Sequence, residues 1–381
     1  MATLKDEITI GGMKLRNRLA LPPLTTNYGS PEGKVTDAIL RFYEERSRDV
    51  GLVIVEATAV QEDGRILKGS LGLWEDAQAE GMARLAKTVK GAGAAAVLQL
   101  NHAGARCHPV GGPLQGASPS GVTFNPTVPA FALNEEQIRQ LVAHYARASV
   151  RAMEAGFDGV EIHGAHLYLI SQFLSPLTNR REDRYGGDAL GRATFAREVV
   201  KAVRDRLGPG APIFFRLNAV EGVEGGQTEQ DALTVAKAMA GAGVDVLDVS
   251  LVPQVTFQEV EGGKLMVASS AFPKDAPPAG NMDRTAEIRR AASLPVIGVG
   301  KMGVGSAAAE AVDKWPVDII AIGRQMIADP DSAGKILDGK TNEVIACEEC
   351  MSCFGSIRAG KPMKCKVNKE LPGGALEPIR T

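Results

Sequence analysis

Charge of either sign is not in excess. The 381 residues carry 43 Lys and Arg against 45 Asp and Glu, a net charge of −2, so no electrostatic pull toward nucleic acid or an anionic membrane is expected. No apolar run approaches the ~20 residues a membrane helix needs. The opening MATLKDEITIGG carries acids where a signal peptide needs apolar residues. The expectation is a cytoplasmic protein that binds neither nucleic acid nor membrane. Tryptophan is scarce, being confined to Trp74 and Trp315. Gly 43 and Pro 21 are plentiful but follow no period, which excludes collagen and low-complexity disorder and points to many tight loops. A glycine-rich phosphate turn is also missing after the first apolar run, NRLALPPLTTN, so an open doubly wound sheet is disfavoured.

What is there is a repeat of short apolar, β-branched runs with amphipathic stretches between them. The runs fall at 19–21, 51–60 (GLVIVEATAV), 94–100 (AAAVLQL), 157–163 (FDGVEIH), 212–217 (PIFFRL), 244–250 (VDVLDVS), 295–300 (PVIGVG) and 317–323 (VDIIAIG). Runs without polar alternation suit strands buried on both faces of a parallel sheet. Between them, Asn134 opens a helix as N-cap with Glu and Gln in its first turn, and Gly156 stops it. Eight such units predict an α/β fold, the (β/α)8 TIM barrel, over residues 1–345. Residues 5–16 predict a hairpin around Gly11 and Gly12 that closes the barrel bottom. Residues 103–133, rich in Pro and Gly, predict a long excursion after the third strand, of the kind that forms a lid or binding loop. Residues 346–381 form a separate cysteine-rich segment, with no linker or dinucleotide-binding unit after the eighth helix.

In such a barrel the chemistry sits where strands end. The strand ends here carry Thr25, Ala57, Gln99 with His102, His163 with His166 and Tyr168, Arg216 with Asn218, Gly300, and Gly323 with Arg324. Any one of these suits a capping or loop-anchoring role, but polar groups closing nearly every strand at one face suit a site. His163 and His166, three apart, would share the face of a helical turn. They suit a paired donor to a carbonyl oxygen better than a metal pair, since no carboxylate stands at ligand spacing. A phenol stays protonated at neutral pH, so Tyr168 can act as a general acid. Glycines just past the seventh and eighth strands, with Arg324, predict a phosphate cradle.

Seven motifs in order, NRLALPPLT, VEATAV, QLNHAGAR, HGAHLYLISQFLSPLTNRREDRYGG, FRLN, VIGVGKM and AIGRQMIADP, carry a resemblance. Over residues 5–340 the chain resembles the old yellow enzyme family of flavin-dependent ene reductases. The resemblance implies FMN held non-covalently at the C-terminal face of the barrel. Thr25 would bond the flavin O4 region, Ala57 would offer backbone contacts to the ring, and Gln99 and Arg216 would bind the pyrimidine side. Arg216 would also stabilise the anionic reduced flavin. Gly300, Gly323 and Arg324 would hold the phosphate. His163 and His166 would grip the substrate's activating carbonyl while hydride reaches the β-carbon of an alkene, and Tyr168 would protonate the α-carbon. NADH or NADPH is a candidate reductant, and a homo-oligomer is expected.

The remaining signal is CEECMSCFGSIRAGKPMKCKVN, in which Cys347, Cys350, Cys353 and Cys365 have the spacing C-x2-C-x2-C-x11-C. Three thiolates at two-residue gaps with a distant fourth favour a [4Fe-4S] cluster over zinc, whose ribbons show two separated knuckles. A disulfide set is disfavoured in a cytoplasmic protein. Similar segments mark the iron–sulfur branch of the family, which includes 2,4-dienoyl-CoA reductase, enoate reductase and trimethylamine dehydrogenase. Those relatives continue into FAD- and nucleotide-binding domains, whereas this chain stops at Thr381. Electrons are therefore expected to pass to or from a separate redox protein, a ferredoxin, flavodoxin or FAD subunit. Arg358, Lys361, Lys364, Lys366 and Lys369 offer it a basic rim, unless those charges merely balance the cluster. Amine dehydrogenation is disfavoured, because no cysteine lies near the first strand and neither tryptophan stands at a strand end to cage a cation. A bare electron-transfer subunit would need neither the histidine pair nor Tyr168.

Overall fold

A computed structural model describes residues 2–107 and 115–372. It begins with a hairpin, β1 (Ile8–Ile10) and β2 (Met13–Leu15), which turns at Gly11 with φ +55°. Eight parallel strands then close a barrel in the order β3 (Leu19–Leu21), β4 (Leu52–Ala59), β5 (Ala95–Asn101), β8 (Gly159–Gly164), β9 (Ile213–Glu221), β10 (Val246–Val252), β13 (Val296–Gly298) and β14 (Ile319–Ala321). All eight predicted runs are strands of that barrel.

The numbering gaps are two insertions. β6 (Gly116–Ser118) pairs with β7 (Ala130–Ala132) inside the predicted excursion, whose residues 108–114 lie outside the described residues. β11 (Gln254–Val260) and β12 (Gly263–Ser269) form an antiparallel hairpin after the sixth barrel strand.

Two apolar layers hold the barrel. Inside, Ala20, Leu52, Ile54, Val97, Phe214, Val246, Ile297 and Ile319 pack on Ile10, Met13 and Leu15, so the hairpin does plug the bottom. Outside, the strands' other faces pack on helices such as Glu135–Glu154, whose N-cap Asn134 forms a capping box with Gln137. Each fully buried Leu or Phe contributes about 1.5–3 kcal/mol to that packing. The other end is where the ladder breaks register, between Val55 and Thr58 on β4 and between Ser250 and Val252 on β10. Such irregularities re-aim side chains beside sites.

The cysteine segment folds back on the barrel around a short helix, Ser352–Arg358. Met363 and Leu371 join the outer apolar layer. Asn27 Nδ2 donates to the Gly360 carbonyl, Tyr28 Oη to the Met363 carbonyl, and Met363 N to the Thr26 carbonyl.

Candidate active site

One cavity of about 280 Å3 opens at the C-terminal ends of the strands. Thr25, Ala57, Gln99, Arg216, Gly300, Gly323 and Arg324 all line it, as do His163, His166 and Tyr168. Cys347 and Cys353 line it as well, but Cys350 and Cys365 do not.

Below its floor lies a buried charge cluster. Arg216 Nε is 3.2 Å from Asp248 Oδ2, and Gln99 Nε2 donates to Glu161 Oε1 at 2.7 Å. Burial raises the pKa of both carboxyls, and the Asp248 charge raises Glu161 further, while Arg216 opposes both shifts. Asp248 is the carboxyl paired with the guanidinium. Buried Arg216 Nε has no hydrogen-bond partner. These groups fit FMN: an amide and a guanidinium stand at one end of the cavity. At the other end, two glycine loops run beside Arg324, which has no carboxylate partner among the described residues. Gly300 has φ +137°, and a side chain there would press on the Phe272 ring at 3.0 Å.

The histidines are not on a helical turn. His163 belongs to β8, and the chain then passes through His166 (φ +62°) and Leu167 (φ +56°), both left-handed, before a helix starts at Leu169. Spacing of three reads as helix in sequence, but this path turns both rings into the cavity by another route. His163 Nε2 and His166 Nδ1 share a hydrogen bond of 3.1 Å, with ring centroids 5.2 Å apart and an edge-on angle of 79°. His166 Nε2 meets Ser250 Oγ at 2.7 Å. The strained loop is braced from both sides: the His166 amide donates to Asn218 Oδ1, and Arg106 donates to the His166 carbonyl.

Burial, then the charge of Arg216, holds both imidazoles well below their ordinary pKa. They are neutral donors and acceptors at physiological pH, as a carbonyl-gripping pair requires. Tyr168 N-caps the helix Leu169–Leu174, with its ring 5.1 Å from that of His163. Arg106 Cζ lies 4.8 Å from the Tyr168 ring centroid.

The cysteine end is anchored through its backbone. The Gln325 side chain donates to the Ile345 carbonyl and accepts from the Cys347 amide. Lys301 Nζ lies 3.0 Å from Glu349 Oε2, tying the Gly300 loop to the cysteine loop. Glu349 and Met351, on either side of Cys350, are left-handed at φ +53° and +58°. Burial raises the pKa of the Cys347 and Cys353 thiols, with Cys365 adding to both shifts and Cys347 to that of Cys353. Exposed Cys350 instead bonds Ser352 at 3.3 Å, which lowers its pKa.

Among the described residues, no three His, Cys, Asp or Glu side chains gather closely enough for a single metal ion. Zinc would need four thiolates on one centre at ~2.3 Å. A cubane would spread its ligands over four iron corners, and the thiols offered here are Cys347 and Cys353 on the cavity wall with Cys350 and Cys365 off it. The expected basic rim is smaller than its sequence, because Lys366 pairs with Glu348 at 2.9 Å and Arg358 lies over Phe354.

Arg106, Ser250, Glu161 and Asp248 carry site geometry that the sequence reading did not assign. Ser250 ends its strand and was findable by the strand-end rule. Arg106 stands within QLNHAGAR with nothing local to mark its partners.

Residues 4–343 match the NADH:flavin oxidoreductase / NADH oxidase family. A metal reductase of Desulforamulus reducens is 35% identical over 97% of this chain and 54% of its own length. An NADPH dehydrogenase of Listeria monocytogenes is 37% identical over 87% of this chain and 93% of its own. A solved 2-naphthoyl-CoA reductase in complex with 2-naphthoyl-CoA shares the fold, with a TM-score of 0.88 at 24% identity over 98% of this chain and 58% of its own. The chain spans about half the length of the first curated relatives it matches.

Proposed function

We propose, from the premise that this chain belongs to the NADH:flavin oxidoreductase / NADH oxidase family, that it is an FMN-dependent ene reductase acting on an activated C=C bond. The substrate would be an enone, enoate or enoyl thioester. The observation that carries this reading is the neutral His163–His166 pair facing the same cavity as Gln99 and Arg216, with Tyr168 beside it. An electron relay needs none of these three side chains.

Thr25, Ala57, Gln99 and Arg216 would hold the isoalloxazine, and Gly300, Gly323 and Arg324 the phosphate. Held by those residues, FMN would supply the hydride chemistry, with NADH or NADPH as the candidate reductant. The chain's own residues do the rest. His163 and His166 would exchange the hydrogen bond they share for N–H donation, from His163 Nε2 and His166 Nδ1, to the substrate carbonyl, where negative charge develops as the β-carbon is reduced, with Ser250 Oγ donating to His166 Nε2. Ser250 and Asn218 keep the His166 ring and backbone aligned for that task. Tyr168 gives its phenolic proton to the α-carbon and is reprotonated from solvent.

Cys347, Cys350, Cys353 and Cys365 would hold a [4Fe-4S] cluster, which supplies one-electron exchange. Lys361, Lys364 and Lys369, which form no ion pair among the described residues, would offer a docking face to an acidic redox protein.

The test is anaerobic. Protein loaded with FMN and reduced is mixed with cyclohexenone, cinnamate or crotonyl-CoA while flavin absorbance is followed, and reoxidation by at least one of them is expected. Full flavin content with no reoxidation by any activated alkene overturns the reading.

A further inference from the structure

Four cations line the cavity: Arg106, Arg216, Lys301 and Arg324. Arg216 is paired with Asp248 and Lys301 with Glu349, and Arg324 stands among the glycine loops and cysteines. Arg106 is different. It follows β5 on a short turn, Gly104–Arg106, beside the histidines and Tyr168, and no carboxylate pairs with it among the described residues.

Its position is nevertheless fixed. One Nη donates to the His166 carbonyl and the other to the Ala268 carbonyl at 3.5 Å. The guanidinium lies 4.8 Å from the Tyr168 ring centroid and 5.9 Å from that of Phe124. A guanidinium carries five N–H donors, so this pose leaves part of the fork uncommitted. Among the described residues this half-buried cation is answered by carbonyl dipoles and ring faces alone, a costly arrangement to keep without an anion. The same charge acts on both histidines and helps keep them neutral. The pair can therefore donate hydrogen bonds but supplies no positive charge to offset an ionised substrate.

We infer that Arg106 is an anion subsite of the substrate pocket and selects alkenes bearing a carboxylate, α,β-unsaturated acids above all, over neutral enals and enones. The inference rests on the ene-reductase reading and names its substrate class. As hydride arrives, an enoate gains a second negative charge. The neutral histidines share that charge by hydrogen bonding, and Arg106 supplies the countercharge through a two-point contact that a carboxylate matches and a lone carbonyl does not.

The experiment compares cinnamate with cinnamaldehyde, which share a skeleton and differ in charge, on FMN-loaded wild type, Arg106→Met and Arg106→Lys. Charge-assisted hydrogen bonds of this kind correspond to about 10- to 100-fold in discrimination. The expected result is that the cinnamate-to-cinnamaldehyde ratio of kcat/KM falls by that factor in Arg106→Met and by less in Arg106→Lys, which keeps the charge. A turnover-free arm titrates the oxidised proteins with hydrocinnamate, the saturated acid, through the flavin spectrum. Its Kd should rise about 10-fold or more in Arg106→Met. If both substrates weaken equally and the ratio holds, Arg106 only braces the His166 loop and the inference falls. It falls too if wild type shows no binding of hydrocinnamate. If wild type binds hydrocinnamate but reduces neither alkene, the ene-reductase reading has failed while the anion subsite stands.

Discussion

The histidine end and the cysteine end of the cavity are built on opposite plans. At the histidine end the side-chain atoms themselves are oriented: His166 by Ser250, His163 by His166, and the loop between them by Asn218 and Arg106. At the cysteine end the backbone is what is fixed, by Gln325, Asn27, Tyr28 and Thr26. Among the described residues, the one thiol hydrogen bond on that segment leads outward, from Cys350 to Ser352. A pocket for a passing small molecule needs its donors aimed before the substrate arrives. A ligand loop needs only its route set, because metal–thiolate bonds supply the final orientation.

That contrast breaks first at Tyr168. Among the described residues its hydroxyl makes no hydrogen bond, so Tyr168→Phe should fold normally. It should slow alkene-dependent flavin reoxidation by about 10²- to 10⁴-fold, the usual worth of a positioned general acid. Stopped-flow mixing under nitrogen measures this directly. A slowing of less than threefold would move the proton source elsewhere and leave the oriented end without its acid.

At the other end the telling variant is Cys353→Ser. Cys353 lines the cavity and interacts electrostatically with Cys347 and Cys365. Anaerobically purified variant should lose most of its iron and acid-labile sulfide while keeping FMN, since the glycine loops and Arg324 are untouched. Iron retained at the wild-type level would mean that this thiol is no ligand and that the backbone anchoring serves something else.

The two ends also differ in how plainly the sequence announces them. Unbroken β-branched runs can bury both faces only in a covered parallel sheet, so all eight barrel strands were legible, as was the Gly11 hairpin. Strand ends then located Thr25, Gln99, His163 and Arg216 at one face. The path through His166 and Leu167 was not legible, because a histidine pair three apart suits a helix as well as a left-handed loop. Buried carboxyls were missed for a different reason. Glu56, Glu161 and Asp248 look like ordinary surface acids until partners distant in sequence surround them, as Thr26 does Glu56 across 30 positions. The β11–β12 hairpin hid behind the mixed, mostly exposed composition of β11, QVTFQEV, which lacks the unbroken apolar run of a barrel strand. The cysteines were conspicuous from the start, yet their place on the cavity wall depends on the bonds that Asn27 and Tyr28 make to Gly360 and Met363, more than 330 positions along the chain.

Glu56 joins the two plans and allows the finest test of how they connect. It lies on β4 one residue before Ala57, fully buried, and accepts from both the amide and the hydroxyl of Thr26 at 2.6 Å. The Thr26 carbonyl in turn receives the Met363 amide from the cysteine segment. Burial raises the Glu56 carboxyl to about 7 against the opposing hydrogen bonds from Thr26. The folded state therefore binds this proton more tightly than the unfolded chain, whose value is near the ordinary ~4.3. The stability so gained is complete below the unfolded value and is lost as pH rises through about 7. Between pH 5.5 and 8 that loss amounts to about 2 kcal/mol. Glu56→Gln cannot ionise, so its urea midpoint should decline less than that of wild type over the same interval. Parallel declines would mean that Glu56 stays ionised in the fold, leaving Thr26 to link the first barrel strand to the cysteine segment without any dependence on pH in this range.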